Sequence, residues 1–180
     1  AAKKADLVVA ISQQTKKDII DFLKIDSKKI KVIYQGCQDD FKKDFEESFL
    51  KTVKDKYNLP EKFLLNVGTI EERKNVLSVI KAIKELDIPL VIIGKKNKDY
   101  YPKIEKYIND NSMQNKVYFL KNLTPEELAV CYKLSSIFIY PSIFEGFGIP
   151  IIEALYSKIP VITTNYGCFP EAGGLYLKYI

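Results

Sequence analysis

Short runs of β-branched and aromatic residues, apolar on both faces, recur along this chain with an amphipathic stretch between each and the next. That alternation constrains the fold more than any other feature. The runs occupy residues 7–11, 31–34, 63–67, 90–93, 117–120, 137–140 and 160–163, and helical periodicity appears near 13–24, 47–57, 75–86, 99–111, 124–134 and 149–157. A strand apolar on both faces needs cover on both, so the pattern predicts an α/β fold, a doubly wound, Rossmann-like parallel sheet. The sharpest boundary is Thr124-Pro125-Glu126-Glu127, which reads as an N-cap, a first-turn proline and a capping box. A looser polar stretch from Gln35 to Glu47 interrupts the alternation and predicts a crossing between two units.

A chain of 180 residues with 47% hydrophobic content can build a real core, and its net charge of +5 suits an anionic ligand or a membrane surface. No basic stripe with interleaved aromatics appears, so nucleic acid is not an expected partner. Cys37, Cys131 and Cys168 are far apart and odd in number, which argues against a disulfide framework or a zinc site and for a reducing cytosol. The apolar runs are far shorter than the roughly 20 residues of a spanning helix, and the N-terminal residues lack a signal-peptide core. With no histidine present, the commonest general base and transition-metal ligand are missing.

Two carboxylates, Glu145 and Glu153, stand in the segment from Tyr140 to Ala154, which otherwise reads as core. Charge there is expensive unless it is paired or faces a cleft. Glu145-Gly146-Phe147-Gly148 follows a strand, and Pro150 marks the start of a helix close behind. Glycine permits close ligand approach there, and the helix start attracts anions. Glu145 is thus a candidate to accept hydrogen bonds from sugar hydroxyls, and Glu153 to take a vicinal pair such as those of a ribose. Gly68 likewise ends a strand, and Arg73 and Lys74 beyond it are candidates to hold phosphate. Blander readings stand beside these: a solvated loop at Arg73-Lys74, an exposed Glu145, and a Glu153 paired with a basic side chain. Two carboxylates also fit glycoside hydrolysis. No DxD, HExxH or cysteine cluster suggests a metal.

Three ordered segments carry a resemblance: Ile33-Tyr34-Gln35-Gly36; Asn66 through Gly68, Arg73 and Lys74 to Asn75; and Tyr140-Pro141-Ser142 through Glu145-Gly146-Phe147-Gly148 to Glu153-Ala154-Leu155, continuing to Pro170-Glu171. Together they resemble the donor-binding half of glycosyltransferase family four, retaining enzymes of the GT-B type, and in particular bacterial polysaccharide glycosyl- and mannosyltransferases. The resemblance implies that Arg73 and Lys74 bind a donor diphosphate, Glu145 the transferred sugar and Glu153 the ribose. It also implies further donor contacts from Gly68, Thr69, Gly146, Phe147, Gly148 and Ile149, with the nucleobase near Leu120, Asn122 and Leu123. The catalytic residues it implies are Glu145, Arg73 and Lys74, with no cofactor and no metal. Thr69 stands where many members carry arginine.

The resemblance divides the chain into 1–34, a remnant of an N-terminal acceptor domain; 35–61, an interdomain linker and leading helix; and 62–180, a nucleotide-sugar-binding domain cut short at its C-terminus. The expected function is transfer of a sugar from a nucleotide-diphosphate sugar to a glycan or lipid-linked acceptor with retention, this chain supplying the donor site and being inactive alone. The acceptor would bind through the missing N-terminal domain. The expected location is the cytoplasm, including the inner face of the membrane with peripheral contact. The alternative is a non-catalytic nucleotide-sugar-binding module.

Overall fold

A computed structural model describes residues 2–180; residue 1, with which the expected 1–34 segment begins, lies outside the described residues. Among them are two separate parallel sheets. In the smaller, β1 (Val8–Ala10) pairs with β2 (Ile30–Val32), the two joined through helix α1 (Gln13–Leu23). The larger contains β3 (Leu64–Val67), β4 (Leu90–Ile93), β5 (Val117–Leu120), β6 (Ile137–Tyr140), β7 (Val161–Thr163) and β8 (Lys178–Tyr179). All its pairings are parallel, and the strands run in the order β5-β4-β3-β6-β7-β8. The chain thus steps outward from β3 to β5, returns to lay β6 against the other side of β3, and steps outward the opposite way. That reversal between β3 and β6 is the point at which ligands bind in doubly wound sheets, beyond the carboxyl ends of the strands.

Six more helices follow the first: α2 (Glu47–Lys56), α3 (Val76–Ala82), α4 (Tyr101–Asp110), α5 (Pro125–Leu134), α6 (Ile149–Tyr156) and α7 (Phe169–Gly173). Strand residues alternate between faces, so each face has its own core. Leu65, Val91, Phe138 and Tyr140 pack with residues of α5, α6 and α7, while Leu64, Leu90, Ile92 and Val117 pack with α3 and α4. On the latter face the β6–β7 side remains open, and Ile137, Ile139, Ile162 and Ile180 line a cleft of about 590 Å³ beside α3.

The expected capping box is present: the Glu127 N–H donates to Thr124 Oγ1 at 3.2 Å, and the Thr124 N–H donates to Glu127 Oε2 at 2.9 Å. The same carboxylate takes the Tyr57 hydroxyl at 2.7 Å and the Lys56 ammonium at 2.5 Å, which ties α2 to α5. Burial works against the charge on Glu127, but Lys56, the Thr124 N–H and Tyr57 outweigh it and lower its pKa.

Several boundaries differ from expectation. The second strand ends at Val32, because Tyr34 leaves the sheet and stacks on Phe147 with ring centroids 5.5 Å apart. The third helix ends at Ala82 instead of running to 86, with Ile83 as its C-cap. The short α7 and β8 were not anticipated, since at 5 and 2 residues neither is long enough to show a periodicity.

Candidate functional site

The β3–β6 ladder pairs only Leu64 with Ile137 and Leu65 with Phe138, whereas β3 and β4 pair along four residues. Beyond that point the Asn66 side-chain amide donates to the Ile139 carbonyl at 2.7 Å, bridging the strands where no main-chain pairing is formed. The loops that follow are then knitted to each other. The Ile143 N–H donates to the Arg73 carbonyl at 2.7 Å, Arg73 Nη1 to the Phe144 carbonyl at 3.0 Å, and Asn75 Nδ2 to the Pro141 carbonyl at 3.3 Å. Gly68, at φ +144°, passes so close to Gly94 that a Cβ on Gly94 would stand 1.9 Å from the Gly68 carbonyl oxygen. The loops after β3 and β4 therefore pack backbone to backbone, which only glycine permits.

At the centre of this meeting point, Lys74 Nζ lies 2.6 Å from the Tyr140 hydroxyl and 2.5 Å from Glu145 Oε1. The Tyr140 hydroxyl donates to that same oxygen at 2.9 Å, and Arg73 Nη1 approaches it at 3.0 Å. Burial opposes ionisation of Glu145, but the Lys74 ammonium, the Tyr140 hydroxyl and the Arg73 guanidinium outweigh it, and its pKa falls below the usual carboxylate value. Burial, then the adjacent carboxylate, hold the Tyr140 phenol far above its own usual value. The two cations differ in setting. Lys74 is nearly enclosed, with its ammonium 4.9 Å from the Tyr140 ring centroid, whereas Arg73 is half-exposed and also pairs with Glu71 at 2.7 Å. Glu145 is thus paired and largely buried, not the exposed carboxylate of the bland reading.

Glu153 is not paired with a basic side chain either. It sits between α6 and α5, where Glu153 Oε2 accepts from the fully buried Tyr132 hydroxyl at 2.9 Å, and among the described residues Oε1 has no hydrogen-bond partner. Burial raises its pKa, only partly opposed by Tyr132. The Gln35–Cys37 loop lies against the same helix, sharing a pocket with Ile152 and Leu155, and burial raises the Cys37 thiol.

A cavity of about 300 Å³ opens at the carboxyl ends of β4 and β5, lined by Gly94, Lys95, Lys96, Phe119, Leu120 and Asn122. Leu120 and Asn122 were expected at such a place. Lys95 and Lys96 follow the end of β4, where this topology places ligands, and Phe119 lies within β5; none of the three was singled out. Leu123 instead packs against the core, Thr69 is exposed, and Phe147 is buried beneath Tyr34, so from Phe147 only the backbone is left to meet a ligand. Gly148, at φ +100°, is the N-cap of α6, and Ile149 is its first residue.

The start of α1, which joins the strands of the smaller sheet, meets this site directly. Ser12 Oγ donates to the Gly146 carbonyl at 2.7 Å and Thr15 Oγ1 to the same oxygen at 3.1 Å. From the other side, Glu171 accepts the Gln13 and Gln14 N–H groups at 2.7 and 3.0 Å, its carboxylate closing off the start of α1. Among the described residues no group of three or more histidine, cysteine or acidic side chains is arranged to hold a metal ion, and no helix is long and apolar enough to cross a membrane.

The chain is 34% identical to O-antigen chain mannosyltransferase RfbU of Salmonella typhimurium, over 99% of the chain and 48% of that protein. It is 29% identical to serotype-specific mannosyltransferase WbdA of Escherichia coli, over 96% of the chain and 22% of that protein. The chain therefore spans between about a fifth and a half of these curated relatives. Among solved structures, a glycosyltransferase of Rickettsia africae superposes with a TM-score of 0.82 at 27% identity, over 94% of the chain and 47% of the other. The Anabaena protein HepE, crystallised with UDP-glucose, superposes with a TM-score of 0.83 at 21% identity, over 94% and 48%, a likeness of fold alone. Residues 50–174 match the family described as glycosyl transferases group 1, and the chain belongs to that family.

Proposed function

We propose that this chain forms the donor site for transfer of a sugar from a nucleotide-diphosphate sugar to a glycan or lipid-linked acceptor with retention of configuration, with residues 1–34 belonging to an acceptor domain. The observation that carries this reading is the Arg73–Lys74–Tyr140–Glu145 cluster at the reversal between β3 and β6, where the fold exposes a ligand to both loops. Arg73, half-exposed and with N–H groups to spare, receives the diphosphate. Lys74 holds the Glu145 carboxylate charged and aimed, and adds positive potential beneath the leaving group. The free oxygen of Glu153 accepts ribose hydroxyls, and the cavity after β4 and β5 takes the base.

In the transfer, the bond between the anomeric carbon and the diphosphate oxygen breaks with its electron pair passing to that oxygen, where the fixed cations stabilise it. The acceptor hydroxyl oxygen bonds to the same carbon from the same face, and its proton passes to the departing diphosphate. Glu145 orients the sugar through its hydroxyls. No metal enters this scheme. Two relatives are named mannosyltransferases, so a mannosyl donor is the first to try.

The test is calorimetric titration of the chain with UDP, GDP and ADP and their sugar conjugates in EDTA. Saturable binding to one base, tighter for one conjugate, supports the donor reading; a folded chain that binds none of them overturns it. Binding with no release of nucleoside diphosphate in the presence of candidate acceptors would leave the chain a nucleotide-sugar-binding module.

A further inference from the structure

Beside Glu145 lies a further pocket, of about 220 Å³, walled by Gln14, Ile143, Phe144, Glu145, Tyr166 and Phe169. Three of these are large apolar or aromatic side chains left open to solvent: Ile143 at 52%, Phe144 at 59% and Tyr166 at 46%. Contiguous exposure of this kind, next to a buried carboxylate, is the informative departure from an ordinary surface. We infer that this pocket receives a neutral pyranose ring of the glycan acceptor, its apolar face against Phe144 and its hydroxyls toward Glu145 and Gln14. The inference rests on the donor reading and extends it by giving the donor half part of the acceptor site.

Three observations separate this occupant from the donor. The first is position. Read along the carboxyl edge of the sheet in strand order, the base cavity follows β5 and β4, the cations follow β3, Glu145 follows β6, and Tyr166 and Phe169 follow β7. A donor laid along that edge from base to sugar ends at Glu145, and the next place outward is this pocket. The second is charge: no lysine or arginine is among the residues lining it, and the one ionisable carboxylate there, Glu145, is already paired with Lys74 and Arg73. The pocket thus offers a phosphate no lining cation of its own, whereas an uncharged, hydroxyl-rich ring needs none. The third is that Gln14 comes from α1, in the unit with the smaller sheet, so the pocket straddles the seam between the two units, where a second substrate can meet the first. Apolar and aromatic walls with one or two polar groups to set orientation are what small-ligand pockets present.

The chain lacks tryptophan, so binding is read by calorimetry or by NMR. Methyl α-mannoside and mannobiose are titrated into the chain saturated with whichever of UDP or GDP it binds, and again with the matching nucleotide sugar. The expected result is saturable glycoside binding in both states, weakened about tenfold by Phe144→Ala, kept by Phe144→Tyr, with nucleotide affinity unchanged in both variants. Glycoside binding that disappears when nucleotide sugar replaces the bare nucleotide assigns the pocket to the donor sugar and overturns the inference. So does nucleotide binding with no glycoside binding, or glycoside binding indifferent to Phe144→Ala, each leaving the donor reading intact. Glycoside binding without any nucleotide binding overturns both.

Discussion

Lys74 and Glu145 are 71 positions apart in sequence, yet Nζ and Oε1 stand 2.5 Å apart, with only 11% and 12% of the side chains exposed. A pair so enclosed stabilises little in net terms but is costly to break from one side, because the survivor keeps its charge without its partner. Lys74→Met leaves Glu145 with Arg73 and the Tyr140 hydroxyl, and is therefore expected to lower stability by less than the roughly 3–5 kcal/mol of a buried charge stripped of every partner. Adding Glu145→Gln to it should recover part of that loss. Urea unfolding of the two single variants and the double measures the coupling, and strict additivity would rule the pair out as a unit.

The two site glutamates should respond to pH with opposite signs. Glu145 has a lowered pKa in the folded chain, so its stabilisation is present above the unfolded carboxylate pKa of about 4.3 and is lost as pH falls through the folded value. Glu153 has a raised pKa, so it costs stability as pH rises from about 4.3 through its folded value. Glu153→Gln should then raise the denaturation midpoint at pH 7 and leave it unchanged well below pH 4, while weakening nucleotide binding. A lower midpoint for Glu153→Gln at pH 7 would show that its charge is compensated in a way the Tyr132 hydrogen bond does not account for.

Ligand affinity should divide along the cluster. Arg73→Ala is expected to weaken nucleoside diphosphate and nucleotide sugar alike by about 1–3 kcal/mol. Glu145→Gln should spare the bare nucleotide and weaken only the sugar conjugate. Calorimetry on the four combinations checks both assignments, and equal losses for Glu145→Gln on the two ligands would end the division of roles. Adding EDTA should change none of these affinities.

Gly94→Ala tests the backbone contact behind the site. With its Cβ 1.9 Å from the Gly68 carbonyl oxygen, the loops must separate, at a cost of about 1–3 kcal/mol. Nucleotide affinity should fall as well, since the base cavity and the cation loop are displaced relative to each other. A thermal melt and one titration suffice; an unchanged melt would mean that the two loops yield freely.

The sheet was legible because strands buried on both faces leave unbroken apolar runs, and Thr124 to Glu127 carried its own helix start. Glu145, Arg73 and Lys74 could be picked out as charges at strand ends. What periodicity could not convey was how they are joined. Tyr140 reads as one more core residue of β6 until its hydroxyl is found between Lys74 and Glu145. Glu171, at a distance of 157 and 158 residues from the N–H groups it accepts, and Ser12, which reaches Gly146, leave no trace in local pattern. The aromatic pocket was missed for a related reason: Phe144 and Tyr166 belong to different loops, and their exposure depends on what fails to cover them.

The strand order has a consequence for recombination. Arg73 and Glu145 flank the same gap, but α3, β4, α4, β5, α5 and β6 are encoded between them. A chimera joined anywhere from residue 76 to residue 136 takes Arg73 and Lys74 from one parent and Tyr140 and Glu145 from the other, with the Lys74–Tyr140–Glu145 contact formed across parents. Exchanging residues 119–122 alone leaves that contact, and the Gly94–Gly68 approach behind it, within one parent and alters one wall of the cavity after β4 and β5. That wall is thus separable by recombination from the Arg73–Lys74–Tyr140–Glu145 cluster, which stays within one parent only when both of its loops do.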